Sequence, residues 1–215
     1  MSNLFPFQNT QTRINSLTLH HKNLDTEMSA VYGEVRAHSS RVAALCGIFA
    51  QLCGLSQYHV RLLEWAGFFH DLGKLSIPPQ ILHNPSPLSP GEWAIMREHP
   101  TAGYNSYLKM CSPNGYNGDV AQAILQHHER VDGSGYPFGL RGTSICPMAQ
   151  IVSMADTIDA MNSDRCYRKG STREEIQYEF YRLRDKHWDA QFADLFLNNP
   201  RAFDIIFEHE GALTG

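Results

Sequence analysis

Histidines and carboxylates grouped in short pairs constrain the fold of this chain more than any other feature of its sequence. Neutral imidazoles and carboxylates are the ligands that borderline and hard divalent ions prefer. The candidates are too many for one four-coordinate site, and they suit two or three ions bridged by carboxylates, an arrangement used for phosphate-ester cleavage. The chain must therefore fold so that distant segments meet. The candidate ligands are Glu34, His38, His70, Asp71, His99, His127, His128 and Asp156.

Apolar residues recur at helical spacing along the chain, and no alternating strand pattern is persuasive, which predicts an all-α fold. Ser56, Ser89, Asp119 and Ser171 stand where helix N-caps are wanted. Pro100 is expected to end or kink the helix that delivers the histidine before it. A proline-rich segment at 76–90 is predicted to be an extended loop. The predicted helices cover residues 28–53, 57–72, 90–99, 120–128, 147–161, 172–183, 189–197 and 200–209.

The predicted helices place the candidate ligands in particular ways. Glu34 and His38 are four residues apart and share one helical face, although such a pair alone is more often a surface contact. Asp156 and Asp159 interrupt an otherwise apolar helix, where unpaired carboxylates are costly. We therefore expect both carboxylates to be paired or metal-bound.

Composition narrows the class of protein. The net charge of −4 and the pI near 6.2 argue against binding a nucleic-acid polymer, which needs a basic surface. Five cysteines without a CxxC pair fit a reducing cytoplasm. No signal peptide is apparent, and no apolar run approaches the ~20 residues that cross a membrane. We expect a polar arm at residues 1–24 and a single domain at residues 25–215.

Several motifs in order resemble the HD-GYP family, the HD phosphohydrolases that cleave cyclic dinucleotide second messengers, chiefly cyclic di-GMP. The resemblance extends from about residue 28 to about residue 200, with cysteine at position 166 where the family usually has proline. It implies a single-domain helical bundle of the HD phosphohydrolase type. The motifs are His70-Asp71 with Lys74, His99-Pro100, His127-His128-Glu129, Asp132-Gly-Ser-Gly-Tyr136-Pro137 and Arg165-Cys-Tyr-Arg168.

The resemblance also implies roles for particular residues. All eight candidate ligands would hold two or three divalent ions, with iron or manganese favoured and zinc or nickel open. Asp156 matches a ligand of the family, and Asp159 would have a structural or supporting role. Asp71 would bridge ions whose shared hydroxide attacks phosphorus. Lys74 would bind phosphate oxygens, Arg165 and Arg168 would clamp the second phosphate, and Tyr136 would contact substrate. Glu34 accompanies the three-metal version of the site in this family.

Three other functions stay open at this point. The substrate could be a mixed guanine-adenine cyclic dinucleotide, or a nucleotide or alarmone of another HD-type enzyme. The chain could instead be a non-catalytic module that binds a cyclic dinucleotide. The Gly-Tyr-Pro loop could dock a diguanylate cyclase or another signalling protein, and a homodimer is also open.

Overall fold

A computed structural model describes residues 33–111, 117–163 and 169–207, with side chains from Arg36 onward. Over these ranges the chain is helical and has no β-strand, so the predicted all-α fold is confirmed. None of the described helices is both long and apolar enough to cross a lipid bilayer. The predicted arm at 1–24 lies outside the described residues, and the single-domain boundary stays a prediction.

The first two helices form the base on which the candidate site stands. Helix α1 (Gly33–Leu52) packs along α2 (Gln57–Phe69), and both bury an apolar face in the core. The turn between these helices has the conformation that its glycine and serine predict. Gly54 takes a positive φ of 67°, a conformation that glycine adopts without steric cost, and the Ser56 hydroxyl accepts the His59 N–H as predicted.

The next segment departs from the prediction in two places. After a 3₁₀ turn (Leu72–Ser76), the proline-rich stretch forms a short helix, α3 (Pro79–Leu82). Helix α4 (Pro90–Met96) opens on the predicted Ser89–Glu92 capping box, and it ends before His99. Pro100 does not end a helix, because α5 (His99–Cys111) begins beside it, in the first turn where the missing N–H is harmless.

The remaining helices close the bundle, and two of their caps correct the prediction by one or two residues. Asn117, not Asp119, caps α6 (Gly118–Gln126). Thr172 and Glu175 form the box that was predicted at Ser171 and Glu174. The elements that follow α6 are α7 (Pro147–Asn162), α8 (Arg173–Leu183), α9 (Ala190–Leu197), a 3₁₀ turn (Pro200–Phe203) and α10 (Asp204–Phe207).

Two glycines bring the turn after α2 against α5 at backbone contact. A Cβ added at Gly73 would overlap the carbonyl oxygen of His99 and the amide nitrogen of Gly103. No other residue fits at position 73 without moving one of the two segments. This contact sets the distance between Asp71, at the start of the turn, and His99, at the start of α5.

Candidate metal centre

Five separate segments bring candidate ligands to one point in the bundle. His38 lies in α1, His70 caps the C-terminus of α2, and His127 caps the C-terminus of α6. His99 opens α5, and Asp156 projects from the middle of α7. Ends of helices dominate this arrangement, so the site forms only when the whole bundle has assembled.

The first group of ligand atoms gathers around one oxygen of Asp71. The Nε2 atom of His70 lies 3.3 Å from Asp71 Oδ2, and the Nε2 atom of His38 lies 3.7 Å from the same oxygen. Asp156 Oδ1 stands 3.3 Å from His38 Nε2 and 3.9 Å from His70 Nε2. Two imidazoles and two carboxylates therefore surround a single position.

The second group gathers around the other oxygen of Asp71. The Nε2 atoms of His99 and His127 lie 3.3 Å and 4.0 Å from Asp71 Oδ1. His128 contributes a ring nitrogen to this group, and all four ligand atoms lie within 4.8 Å of one another. Asp71 is thus common to both groups, with one carboxylate oxygen turned to each.

The tautomers of the second group leave lone pairs facing one another. His99 Nδ1 donates to the Met96 carbonyl at 2.8 Å, and His127 Nδ1 donates to the Ile124 carbonyl at 2.8 Å. Because carbonyl oxygens only accept, each neutral ring has no hydrogen on its Nε2 atom. Those two Nε2 atoms stand 3.3 Å apart.

Asp71 adds a third acceptor to those lone pairs. Its Oδ1 atom is buried and has no hydrogen-bond donor among the described residues. Three acceptors without a hydrogen between them are a costly arrangement unless a cation lies among them. The donor set therefore fits a divalent metal ion.

The surroundings of Asp71 favour the ionised form of its carboxyl group. Burial would raise its pKa, but the charges of His70 and Lys74 outweigh burial and hold the pKa of Asp71 well below its usual range. Lys74 donates to Oδ2 over 2.5 Å, and the residue lies one turn beyond His70. The carboxylate is consequently ionised and available as a bridging ligand.

The imidazoles of the two groups differ in their proton affinity. Burial opposes a charge on His38, yet hydrogen bonds to Asp156 and Asp159 outweigh burial and raise the pKa of His38 to about 9. Burial, reinforced by the charge of His99, lowers the pKa of His128 to about 3. Burial also lowers the pKa of His127 well below its usual value.

Asp159 supports the first group without facing its centre. It is buried, accepts the Nδ1–H of His38 at 2.7 Å, and accepts two N–H groups of Arg41 at 2.5 Å and 2.9 Å. This carboxylate fixes the His38 tautomer so that the Nε2 lone pair points inward. The expected supporting role for Asp159 matches this geometry.

Glu129 is a residue whose part sequence reasoning missed. Its side chain is 2% exposed, and its two carboxylate oxygens accept the N–H groups of Phe138 at 2.7 Å and Leu140 at 2.9 Å. These two hydrogen bonds hold the loop that follows Tyr136-Pro137 in place. The signal was a carboxylate directly after His128 and just before a glycine-rich turn, where backbone N–H groups need acceptors.

Tyr136 reaches the centre through a ring stack. Its ring lies parallel to that of His128, with centroids 4.6 Å apart and an interplanar angle of 22°. The guanidinium of Arg97 covers Tyr136, 4.8 Å from the ring centroid. The loop therefore forms a wall of the second group, and the contact of Tyr136 with substrate stays a prediction.

Three predicted site residues have no described side chain. Arg165 and Arg168 lie outside the described residues. Glu34 belongs to the first turn of α1, and only its backbone is described. Their proposed roles stay predictions.

A family model described as an HD domain matches residues 22–191 of the chain. The match covers most of the chain, and all eight candidate ligands lie within it. The chain belongs to the HD-domain family and, by its motifs, to the HD-GYP group. Its helical bundle is the fold expected of that group.

Characterised relatives of this HD-GYP chain include a cyclic di-GMP phosphodiesterase of Thermotoga maritima, 36% identical over 82% of the chain and 48% of the relative. The cyclic di-GMP phosphodiesterase response regulator RpfG of Xanthomonas campestris is 38% identical over 81% of the chain and 46% of the relative. The 3′3′-cGAMP-specific phosphodiesterase 2 of Vibrio cholerae is 34% identical, over 86% and 35% respectively. The chain spans about half the length of these relatives, or less.

Solved structures share the fold of this HD-GYP chain at low sequence identity. An HDG“Y”P protein of Bdellovibrio bacteriovorus has a TM-score of 0.61 and 20% identity over 86% of the chain and 60% of its own. The HD domain of the phosphodiesterase PgpH of Listeria monocytogenes, in complex with cyclic di-AMP, has a TM-score of 0.57 and 17% identity over 90% and 98%. Both support the fold alone.

Proposed function

We propose that this chain is a metal-dependent phosphodiesterase that hydrolyses cyclic di-GMP to linear pGpG, or onward to GMP. The observation that carries the proposal is the position of Asp71. One buried, ionised carboxylate presents a separate oxygen to each of two histidine groups. Such a shared carboxylate is the expected bridge of a two-metal hydrolytic site.

The ligands would divide between two positions. His38, His70 and Asp156 would hold one ion, His99, His127 and His128 would hold the other, and Asp71 would serve both. Divalent ions bound there supply the positive charge that activates water near neutral pH and stabilises a phosphate in its transition state. Imidazole and carboxylate donors suit iron or manganese, and also zinc or nickel.

Several residues of the chain would handle the substrate around those ions. Lys74, paired with Asp71 at the edge of the centre, would exchange part of that contact for a phosphate oxygen. Arg165 and Arg168 would hold the second phosphate through the planar fork that suits phosphate. Tyr136 would bound the site on the side of His128.

The relatives support the choice of a cyclic dinucleotide. Two of those described are named for cyclic di-GMP, and they are 36% and 38% identical to this chain. A mixed guanine-adenine cyclic dinucleotide is the second candidate, because a relative named for 3′3′-cGAMP is 34% identical. Direct competition between the two substrates would rank them.

The Gly-Tyr-Pro loop would also meet a signalling-protein partner in the cytoplasm, such as a diguanylate cyclase. The Phe138 side chain is 62% exposed on this loop, and an exposed aromatic ring is a common anchor of protein interfaces. Binding of a purified diguanylate cyclase to wild type and to Phe138→Ser tests this role. Equal binding by both proteins would exclude Phe138 as the anchor.

The activity is tested with purified protein loaded separately with iron(II), manganese, zinc and nickel under anaerobic conditions. We expect cyclic di-GMP to be converted to linear product by at least one metal form and by none after chelation. Circular dichroism checks that each preparation is folded. Folded, metal-loaded protein that binds cyclic di-GMP without turnover would point to a non-catalytic binding module.

A further inference from the structure

A groove opens beside the metal centre on the side of α4. Its volume is about 540 Å³, within the range of small-molecule sites in proteins. Helix α4 supplies one wall, with Trp93 and Arg97, and the Gly-Tyr-Pro loop supplies the other, with Ser134 and Tyr136. None of the groove residues is a candidate metal ligand, and only Ser134 and Tyr136 belong to the motifs that resemble the family.

Trp93 is unusual among the three tryptophans of the chain. Trp188 is fully buried and Trp65 is partly buried, whereas Trp93 is 51% exposed and lines the groove. The Ser89–Glu92 capping box begins the helix immediately before it and fixes the backbone that carries the indole. A large aromatic face held on a short, capped helix offers a stacking surface for a flat ligand.

The groove is joined to the metal centre by a chain of ring contacts. His128 stacks on Tyr136, and Arg97 lies over the Tyr136 ring, 4.8 Å from its centroid. His99 is also close, with its ring centroid 6.4 Å from that of Tyr136. A ligand whose phosphate reached the histidines would therefore extend its neighbouring base toward α4.

We propose that this groove is a guanine-binding subsite, in which Trp93 stacks on the base and Arg97 binds its acceptor edge. Arginine carries only donors, and guanine presents the adjacent acceptors O6 and N7, whereas adenine replaces O6 with a donor. The inference rests on the proposed phosphodiesterase function and names the part of the substrate that the metal ligands cannot recognise. It applies to both candidate substrates, because each contains guanine.

The test measures binding of a hydrolysis-resistant phosphorothioate analogue of cyclic di-GMP to the metal-loaded protein by calorimetry. Loss of a base–aromatic stack weakens binding by about five- to 150-fold, so Trp93→Ala should raise the Kd within that range. Trp93→Phe should recover part of the loss. Ile95→Ala is the matched control, since Ile95 is exposed on the same helix but does not line the groove.

The contribution of Arg97 is tested by comparing bases. Wild type should bind the cyclic di-GMP analogue at least about tenfold more tightly than the matching cyclic di-AMP analogue, the discrimination that one bidentate arginine gives. Arg97→Gln should reduce this ratio. An equal affinity of wild type for both analogues would overturn the assignment to guanine.

The outcomes separate this inference from the proposed activity. If Trp93→Ala left the Kd unchanged and the wild-type protein hydrolysed cyclic di-GMP, the subsite would be overturned and the proposed activity would stand. If Trp93→Ala raised the Kd and the wild-type protein showed no hydrolysis, the subsite would be supported and the activity contradicted. Metal content per chain, measured in parallel, should be equal in wild type and all four variants, and a loss in Trp93→Ala would contradict a role confined to the base.

Discussion

The two ligand groups that share Asp71 differ in charge and in exposure. The group of His38 and His70 includes a second carboxylate, Asp156, and is supported by Asp159. The group of His99, His127 and His128 has only the shared carboxylate and is more deeply buried. The first position therefore attracts a cation strongly but also attracts protons, whereas the second offers imidazoles that are already neutral.

In the proposed two-ion site, the two positions would therefore bind metal by different physical means. At the first position, metal must displace a proton, because the pKa of His38 is raised to about 9. At the second, burial has already removed the competing protons, since the pKa of His128 is lowered to about 3. The two positions should consequently respond differently to pH and to substitution.

The largest effect is expected where the two groups meet. Asp71→Asn keeps the shape of the side chain but removes the bridging charge, so both ions should be lost. We expect turnover to fall at least ~1000-fold, equivalent to about 4 kcal/mol of transition-state stabilisation. Metal content and initial rates check this. The control is Asp194→Asn, which breaks an ion pair with Arg184, and neither residue is a candidate ligand.

If Asp71→Asn retained full metal content and turnover, the two groups would not depend on a shared carboxylate. The comparison between them would then lose its physical basis. Circular dichroism must show the same helical content as wild type, since α2 ends directly before this residue.

The second effect is the pH dependence of metal affinity at each position. Below the raised pKa of His38, affinity at the first position should increase about tenfold per pH unit, or about 100-fold between pH 6 and pH 8. Affinity at the second position should hardly change over that range. His128→Ala isolates the first position and His38→Ala isolates the second, with affinities measured by chelator competition. Equal pH slopes in the two variants would contradict the assigned difference.

The same pKa shifts give opposite contributions to the stability of metal-free protein. The raised pKa of His38 adds stability that is complete below pH ~6.5 and is lost as pH rises through about 9. The lowered pKa values of His127 and His128 add stability that is present above pH ~6.5 and is lost as pH falls below it. Because the His38 contribution declines between pH ~6.5 and about 9, urea unfolding after chelation should give maximal stability near pH ~6.5. Stability that rose steadily up to pH 10 would contradict the shift of His38.

A smaller effect is expected for Asp159, which supports the first group through its hydrogen bond with His38. Asp159→Asn removes the charge that orients His38 and should weaken metal binding at the first position by about 10- to 100-fold. Binding at the second position should be unchanged. The control is Glu179→Gln, which breaks a similar two-bond pair with Arg182 on the surface. A loss of affinity at both positions would show that Asp159 supports the bundle and not His38 alone.

The smallest effect concerns the predicted third ion. Glu34→Ala should reduce iron(II) from three per chain toward two and lower turnover several-fold, because the two groups that share Asp71 would remain. Metal analysis of wild type and variant, loaded in parallel without oxygen, measures the change. Equal stoichiometry in both proteins would exclude Glu34 as a ligand, and the substitution would then change stability by only a few tenths of a kcal/mol.

Much of the fold could be predicted because helices and their caps are local properties of sequence. The caps at Ser56 and Ser89 were predicted correctly. The errors arose where neighbouring residues satisfy the same rule. Ser171 and Thr172 each precede a glutamate by three residues, and only the structure decides that Thr172 is the cap.

The site was less predictable than the fold because its geometry depends on distant segments. Sequence motifs named the candidate ligands, but no local rule indicates that the two oxygens of Asp71 face different histidine groups. The role of Glu129 depends on how the following loop folds back onto its carboxylate. The prediction that Pro100 ends a helix was wrong, because the effect of a proline depends on where the helix begins. Long-range packing, not propensity, decides these features.

The contact of Gly73 with α5 has a consequence for ion size. Because backbone touches backbone there, the main-chain gap between Asp71 and His99 cannot change unless one of the two segments moves. Ions with bonds of about 2.0–2.2 Å to nitrogen and oxygen should fit this gap. Calcium needs about 2.3–2.6 Å and more oxygen ligands. The contact at Gly73 should therefore limit how far a larger ion could push the two segments apart, whichever side chains serve as ligands.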